Sequence, residues 1–190
     1  MPMNFMHRRI CSSQDWARQV REQKLPWSLA GVELGEDLLE IGPGYGATTR
    51  VLVEMAPKVT AVEVDARSAE DLRGEFDGRA RILHGDGSKM SLPDNDFSSV
   101  VCFTMLHHVP TRDMQDGIFA EALRVLRPGG VFAGSDSRLS LRFRMLHIGD
   151  TMNVVDPDEL PERLRRAGFE DVEVTLKEGA FKFKARKPSR

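Results

Sequence analysis

The run Leu39-Glu40-Ile41-Gly42-Pro43-Gly44-Tyr45-Gly46-Ala47 places three glycines at alternate positions behind a short apolar segment. Glycine lets a backbone turn sharply and lets a ligand approach the main chain. A bare turn would not require three glycines, so the loop predicts a ligand-binding corner between a strand and a helix. Gly42-x-Gly44-x-x-Ala47 satisfies the relaxed dinucleotide fingerprint. Glu63 follows 21 residues after Gly42, where a carboxylate accepts bonds from ribose hydroxyls. Loop and Glu63 together fit NAD or another adenosine ligand equally well.

Other titratable groups are scattered. Asp86 sits in His84-Gly85-Asp86-Gly87, His107 and His108 are adjacent, and His147 precedes Asp150. The two cysteines, Cys11 and Cys102, form no CxxC pair and cannot build a zinc framework alone. Cys102 lies in the apolar run Val100-Val101-Cys102-Phe103 and reads as a buried small hydrophobe. A reduced, cytoplasmic chain is the simplest expectation.

The elements that must position these groups alternate. Asp37–Ile41, Val59–Glu63, Arg79–Leu83, Phe97–Phe103 and Val131–Ala133 read as strands. Ala47–Met55, Ala66–Leu72 and Arg112–Leu126 read as helices, the last with Ile118, Ala122, Val125 and Leu126 at 3–4 spacing. Pro128-Gly129-Gly130 is expected to end that last helix. Earlier, Ser12 or Ser13 should cap a helix through Val20 that Pro26 ends. In the tail, Pro157–Ala167 reads as a helix capped by Gly168. Val172, Val174 and Leu176, then Phe181 and Phe183 beyond a Lys177-Glu178-Gly179 turn, predict a hairpin. Strands alternating with helices imply a parallel sheet covered on both faces.

With 190 residues the chain is long enough for a sizeable core and short for two full domains. Its 27 basic and 29 acidic residues leave a formal charge of −2, which gives no global reason to bind nucleic acid or an anionic membrane. The N-terminal residues lack the apolar stretch of a signal peptide, and no apolar run reaches the ~20 residues of a membrane span. The expected organisation is one domain over 1–190. It divides into an N-terminal helical or lid segment (1–35), a cofactor-binding core (36–136), a substrate-side loop (137–155), and a tail helix with hairpin (156–190).

Five stretches in order decide between the ligands. From Asp37 to Gly130, and again over Leu164–Phe169, the chain resembles the class I S-adenosylmethionine (SAM)-dependent methyltransferases. Glu40 to Gly46 matches their first motif, an acidic residue followed by x-GxGxG. Glu63 matches the acidic end of their second strand. Asp86-Gly87 followed by Leu92-Pro93 matches their third-strand motif. Leu106-His107-His108-Val109 and Leu123-Arg124-Val125-Leu126-Arg127-Pro128-Gly129-Gly130 continue the match. One departure is Ser98 behind Phe97, where the family usually has a supportive aspartate.

The resemblance implies a doubly wound, Rossmann-like α/β fold. Its seven-stranded sheet would have order 3-2-1-4-5-7-6, with the last strand antiparallel. It implies SAM as cofactor. Glu63 would hold the ribose, and Asp86 and Gly87 would meet adenine beside Val64 and Met90. The Gly42, Gly44, Tyr45 and Gly46 loop would cover the methionyl and ribose region, which suits a loop with no Lys or Arg. Glu40 would reach the ammonium or orient the loop, and the Cys102–Phe103 carbonyls would accept from the ammonium. Methyl transfer needs alignment more than acid–base groups, so no obligatory metal or triad is expected. Weak candidates for a general base or gate are His147, His108 and Tyr45, although the two central histidines are mainly structural in the family.

The acceptor side is marked only by 1–30 and 138–153. Arg138, Arg142 and Arg144 alternate with Leu139, Leu141, Phe143 and Met145, which reads first as a solvated face over a packed stripe. A sharper reading is an anionic or lipid-like acceptor gripped by the arginines. Trp16, Trp27, Met3, Phe5 and Met6 would pack as an N-terminal helix or supply an apolar flap. The function expected is methyl transfer to a small-molecule acceptor, without nucleic acid. The alternatives are a catalytically silent SAM-binding scaffold, or a nicotinamide-dependent oxidoreductase, which would need a parallel sixth strand.

Overall fold

Strand β1 (Asp37–Ile41) runs at the centre, parallel to β2 (Lys58–Glu63) on one side and β4 (Phe97–Phe103) on the other. A computed structural model describes residues 4–190, with the side chains of Met6, His7, Arg142 and Leu146 outside the described set. The expectations placed on Met3, and on the side chains of Met6 and Arg142, therefore lie outside the described residues. Strand β3 (Arg81–His84) extends the parallel set beyond β2, and β5 (Leu126–Ser137) beyond β4. β7 (Ala180–Arg186) then pairs antiparallel with both β5 and β6 (Glu170–Lys177). The order is β3-β2-β1-β4-β5-β7-β6, as the sequence resemblance implies. The antiparallel strand beside β5 removes the oxidoreductase expectation of a parallel sixth strand.

The central strands are buried on both faces, because alternate side chains feed two separate cores. Leu39, Ile41, Val62, Val100 and Cys102 face one core, with α6 (Arg112–Val125) and α8 (Leu160–Ala167) packed over it. Leu38, Val59, Val101 and Phe103 face the other, shared with Leu52 of α4 (Thr49–Met55) and with Val20, Leu25 and Leu29. A third cluster under α5 (Ala66–Glu75) holds Ala61, Leu72 and Phe76.

The N-terminal segment differs from expectation. Helix α1 (Phe5–Cys11) precedes α2 (Gln14–Gln19), whose N-cap Ser13 accepts from the Trp16 N–H. Pro26 does not end the helix. A π-helical turn at Val20–Lys24 follows α2, with the Leu25 N–H donating to the Val20 carbonyl, and α3 (Leu25–Leu29) continues with Pro26 in its first turn. Proline lacks an N–H, and the first turn of a helix needs none there. The bidentate Arg21–Glu54 pair, at 2.8 Å for both bonds, fastens this segment to α4.

β5 also starts earlier than Val131. Pro128-Gly129-Gly130 lies inside the strand, at the register shift between Phe97 and Ser99, and Gly129 donates to the Lys187 carbonyl. A proline is tolerated at such an irregularity because one ladder donor is already missing. The tail helix starts at Leu160 and not at Pro157, and Gly168 ends it with φ 107°.

No helix among the described residues is long and apolar enough to cross a membrane. Gly134 in β5 leaves no room for a side chain, since a Cβ would lie 2.3 Å from the Cys102 carbonyl and 2.8 Å from the Phe183 ring. Gly134→Ala should lower stability by at least the ~1–3 kcal/mol of an overpacked core, read as a drop in the denaturant midpoint.

Candidate functional site

The carboxyl ends of β1, β2, β4 and β5 converge on one edge of the sheet, where ligands sit in open α/β folds. Glu40, near the end of β1, is fully buried. It accepts a short hydrogen bond from the Thr48 hydroxyl and one of 2.6 Å from the Thr49 hydroxyl. That carboxylate ties the strand to the start of α4 and frames the glycine loop between them. Burial pushes its carboxyl up to about 7, the two hydroxyls pull it down, and the Glu63 charge adds to the rise.

Glu63, at the end of β2, accepts from the Gly44 N–H at 3.0 Å and from the Asp65 N–H at 2.9 Å. The loop is thereby pinned to a second strand. The glycines divide the work. A Cβ on Gly46 would lie 2.7 Å from Leu72, so this residue serves helix packing. A Cβ on Gly44 would meet nothing within 4 Å, so this backbone faces open space beside Glu63. A Cβ on Gly42 would lie 3.0 Å from Met105, so of the three loop glycines Gly44 leaves the open approach for a ligand.

Beyond β3, Asp86 Oδ1 accepts from both the Ser88 N–H and its hydroxyl at 2.8 Å. This is a side-chain turn of the kind aspartate favours, and neither bond uses Oδ2. Gly87 is buried, and a Cβ there would strike Ile41 at 2.6 Å. Val64 keeps an exposed side chain, while its carbonyl accepts from His84 Nε2 at 3.2 Å.

At the β4 end, Thr104 adopts φ 50°, a left-handed conformation that is strained for a β-branched residue, and donates its N–H to the Ser135 carbonyl. Phe103, Thr104, Ser135 and Asp136 wall one side of a cavity of about 140 Å³. Trp16, Lys24, Trp27 and Ser28 of the N-terminal helices, with Lys177 from the hairpin, wall the other. Lys177 Nζ lies 3.7 Å from the Trp27 ring centroid, and Lys24 Nζ lies 4.7 Å from the Trp16 centroid. Burial, then the nearby Lys177 charge, lowers the Lys24 pKa. The Ser28 and Ser135 hydroxyls join across the cavity wall at 2.8 Å.

Sequence reasoning missed this lining. Trp16 and Trp27 were expected as packing or flap residues, and Lys24, Lys177 and Thr104 carried no signal, because only the fold brings the N-terminal helices to the β6–β7 turn. The π-helical turn contributes Val20 and Lys24 to the lining, as π-turns often do at sites. The weak candidates Tyr45, His108 and His147 are not among the described lining residues. Tyr45 lies near Arg8 and Cys11 of α1, and burial raises its phenol. Burial, with Asp150 nearby, pushes the Cys11 thiol up to about 11, and burial raises Cys102 well above its ordinary range, so both favour the protonated thiol over the reactive thiolate.

The two expected lid segments meet. The Asn4 N–H donates to Asp150 at 2.5 Å, and its side chain to the Ile148 carbonyl. Of the packed stripe expected beside the arginines, Phe143 packs on the His107 and His147 rings. Leu139 is exposed, as are Leu141 and Met145 of short α7 (Leu141–Leu146) and Ile148 beyond it.

A methyltransferase-domain family model matches residues 39–134, half of the chain. The chain belongs to this family, the class I SAM-dependent methyltransferases. It is 34% identical over 146 residues to a probable S-adenosylmethionine-dependent methyltransferase of Mycolicibacterium smegmatis, covering 75% of this chain and 54% of that one. It is 29% identical to a sterol 24-C-methyltransferase of Aspergillus fumigatus, covering 74% and 41%. A solved SAM-dependent methyltransferase from Aquifex aeolicus superposes with TM-score 0.70 at 19% identity, covering 92% and 98%. The chain spans about half, or less, of the length of these two sequence relatives.

The raised Glu40 carboxyl has a pH signature. Between its ordinary value of 4.5 and about 7, the folded chain holds a proton that the unfolded chain has released. Glu40 therefore makes stability fall as pH rises through that window. Glu40→Gln should gain stability relative to the wild type as pH rises from about 5 to about 8, measured by denaturant unfolding at each pH.

Proposed function

We propose that this chain binds SAM along the carboxyl edge of the sheet and methylates a small anionic acceptor held in the Trp16/Trp27 cavity. SAM supplies an electrophilic methyl on a sulfonium when bound. Glu63 would accept from the ribose hydroxyls while it holds Gly44, and Asp86 Oδ2 would accept from the adenine amino group beside the Gly87 N–H. The Gly44 backbone would lie along the methionyl and ribose region. Glu40 would place its charge near the ammonium through the loop it frames. Tyr45 and α1 would cover that loop, and Asn4 would fasten the cover to Asp150.

The acceptor reading rests on one observation: Lys24 and Lys177 with two tryptophans line a cavity that also borders Thr48 and Phe103, and of the two carboxylates in its wall, Asp136 and Glu178, the first is taken up by His107. Paired cations that repel one another in a half-buried site favour an anion between them. Tryptophan faces suit a flat or apolar body. Such a cavity admits a small molecule and no nucleic acid. The cations are Lys24 and Lys177, in place of the arginines that the sequence suggested. With both cysteines free, the chain suits a reducing cytoplasm.

The protein's part in the transfer is alignment and exclusion of water. No imidazole or carboxylate is needed if the acceptor's own anion is the nucleophile.

Two measurements separate the halves of this reading. Gly44→Ala and Asp86→Ala should each weaken SAM binding, the latter by ~1–3 kcal/mol for a lost hydrogen bond to a charged group, in isothermal titration calorimetry. Unchanged affinity in both would contradict the cofactor placement. Lys24→Met and Lys177→Met should leave SAM affinity intact and raise the KM for acidic acceptors in a methyl-release screen. Equal turnover of neutral and acidic acceptors would remove the anionic assignment.

A further inference from the structure

We infer that His107, His108 and His147 form a site for a divalent transition metal of the zinc type, which clasps α7 onto the corner after β4. This goes beyond the methyl-transfer reading and does not depend on it.

The three imidazoles come from two parts of the chain. His107 and His108 lie in the single 3₁₀ turn Leu106–His108 that follows β4. His147 ends α7, in the segment that Asp150 ties to Asn4. One ligand nitrogen from each lies within 4.8 Å of the others. The ring centroids are 4.1 Å apart for His107 and His108, 5.0 Å for His107 and His147, and 5.5 Å for His108 and His147. His107 and His147 are buried.

Second partners orient two of the rings. His107 Nδ1 lies 2.5 Å from Asp136 Oδ1, and His147 Nδ1 lies 2.8 Å from the Phe143 carbonyl. A carbonyl only accepts, so His147 carries its proton on Nδ1. A buried carboxylate fixes the same tautomer on His107. With Nδ1 of each ring turned to its acceptor, Nε2 is the nitrogen that each offers to a metal. A histidine whose Nδ1–H is held by a carboxylate or a main-chain carbonyl is the usual arrangement behind a metal-bound Nε2.

Neutral imidazoles suit zinc, copper and nickel, while calcium and magnesium prefer oxygen donors. Drawing three nitrogens to about 2.0–2.1 Å from one ion needs side-chain shifts on the order of an ångström. Three protein ligands also leave one position of a tetrahedral ion for water. The methyl transfer itself was expected to need no metal, and the ion here holds a segment instead of acting on the donor. Asp136 reaches both places, since it binds His107 and also lines the acceptor cavity.

Zinc chloride titrated into the chelator-treated full chain should bind with one equivalent per chain. His147→Ala and His108→Ala should each weaken that binding at least about ten-fold, and Asp136→Asn by about 10–100-fold. His84→Ala, at the end of β3, should bind as the wild type does. Cobalt(II) should give the visible bands of a four-coordinate site in the wild type, and those bands should vanish in His147→Ala. Circular dichroism without metal identifies variants that fold. In the wild type, which needs no variant, zinc should slow proteolysis within residues 138–153. Absence of stoichiometric zinc binding, equal binding by a folded His147→Ala chain, or proteolysis unchanged by zinc would each overturn the inference.

Discussion

The site depends on a carboxylate kept out of water. Glu40 sits at the end of a strand buried on both faces, and it is held there by two hydroxyls at the start of α4. Without that tie, a buried acidic group at the sheet centre would be a large cost. With it, the loop between β1 and α4 has a fixed entry and exit. Glu63 fixes the middle of the loop by taking the Gly44 N–H. Two carboxylates from adjacent strands thus shape a loop that contains no charge of its own. Glu63 also sets the local field at Glu40, because its charge disfavours ionisation of that buried carboxyl, and a cation placed beside it would relieve the cost.

The sheet was legible in the sequence because its strands are short apolar runs bounded by glycine and proline. Residues 37–41 and 97–103 have observed bounds identical to those read from composition. The hairpin that closes the sheet was legible because Phe181 and Phe183 alternate with lysines, and both phenylalanines are buried. Pro26 misled because a local rule, that proline ends a helix, ignores the π-helical turn ahead of it. Pro128-Gly129-Gly130 misled in the same way, since its place in β5 depends on Lys187, a residue far along the chain.

The glycine loop was legible as the corner between β1 and α4, although not the separate packing roles within it. Gly46 must lack a side chain because Leu72 of α5 and Phe76 just past its end lie against it. The proposed acceptor cavity was not legible at all. Trp16, Trp27, Lys24 and Lys177 look like surface and packing residues until the N-terminal helices and the β6–β7 turn meet. The histidines fall between these cases. The sequence showed His107 and His108 together, but only tertiary packing brings His147, Phe143 and Asp136 to them. A clasp there would steady the segment that, with α1, forms the cover of the proposed site.

Hydrogen exchange with and without SAM tests the account most directly, since it reads the whole sheet edge at once. The account predicts that SAM slows amide exchange at Gly42–Gly46, at Asp86–Gly87 and at Phe103–Thr104, with little change along the opposite edge near Glu33 and Arg165. Protection confined to that opposite edge, or none at the glycine loop under saturating SAM, would contradict it.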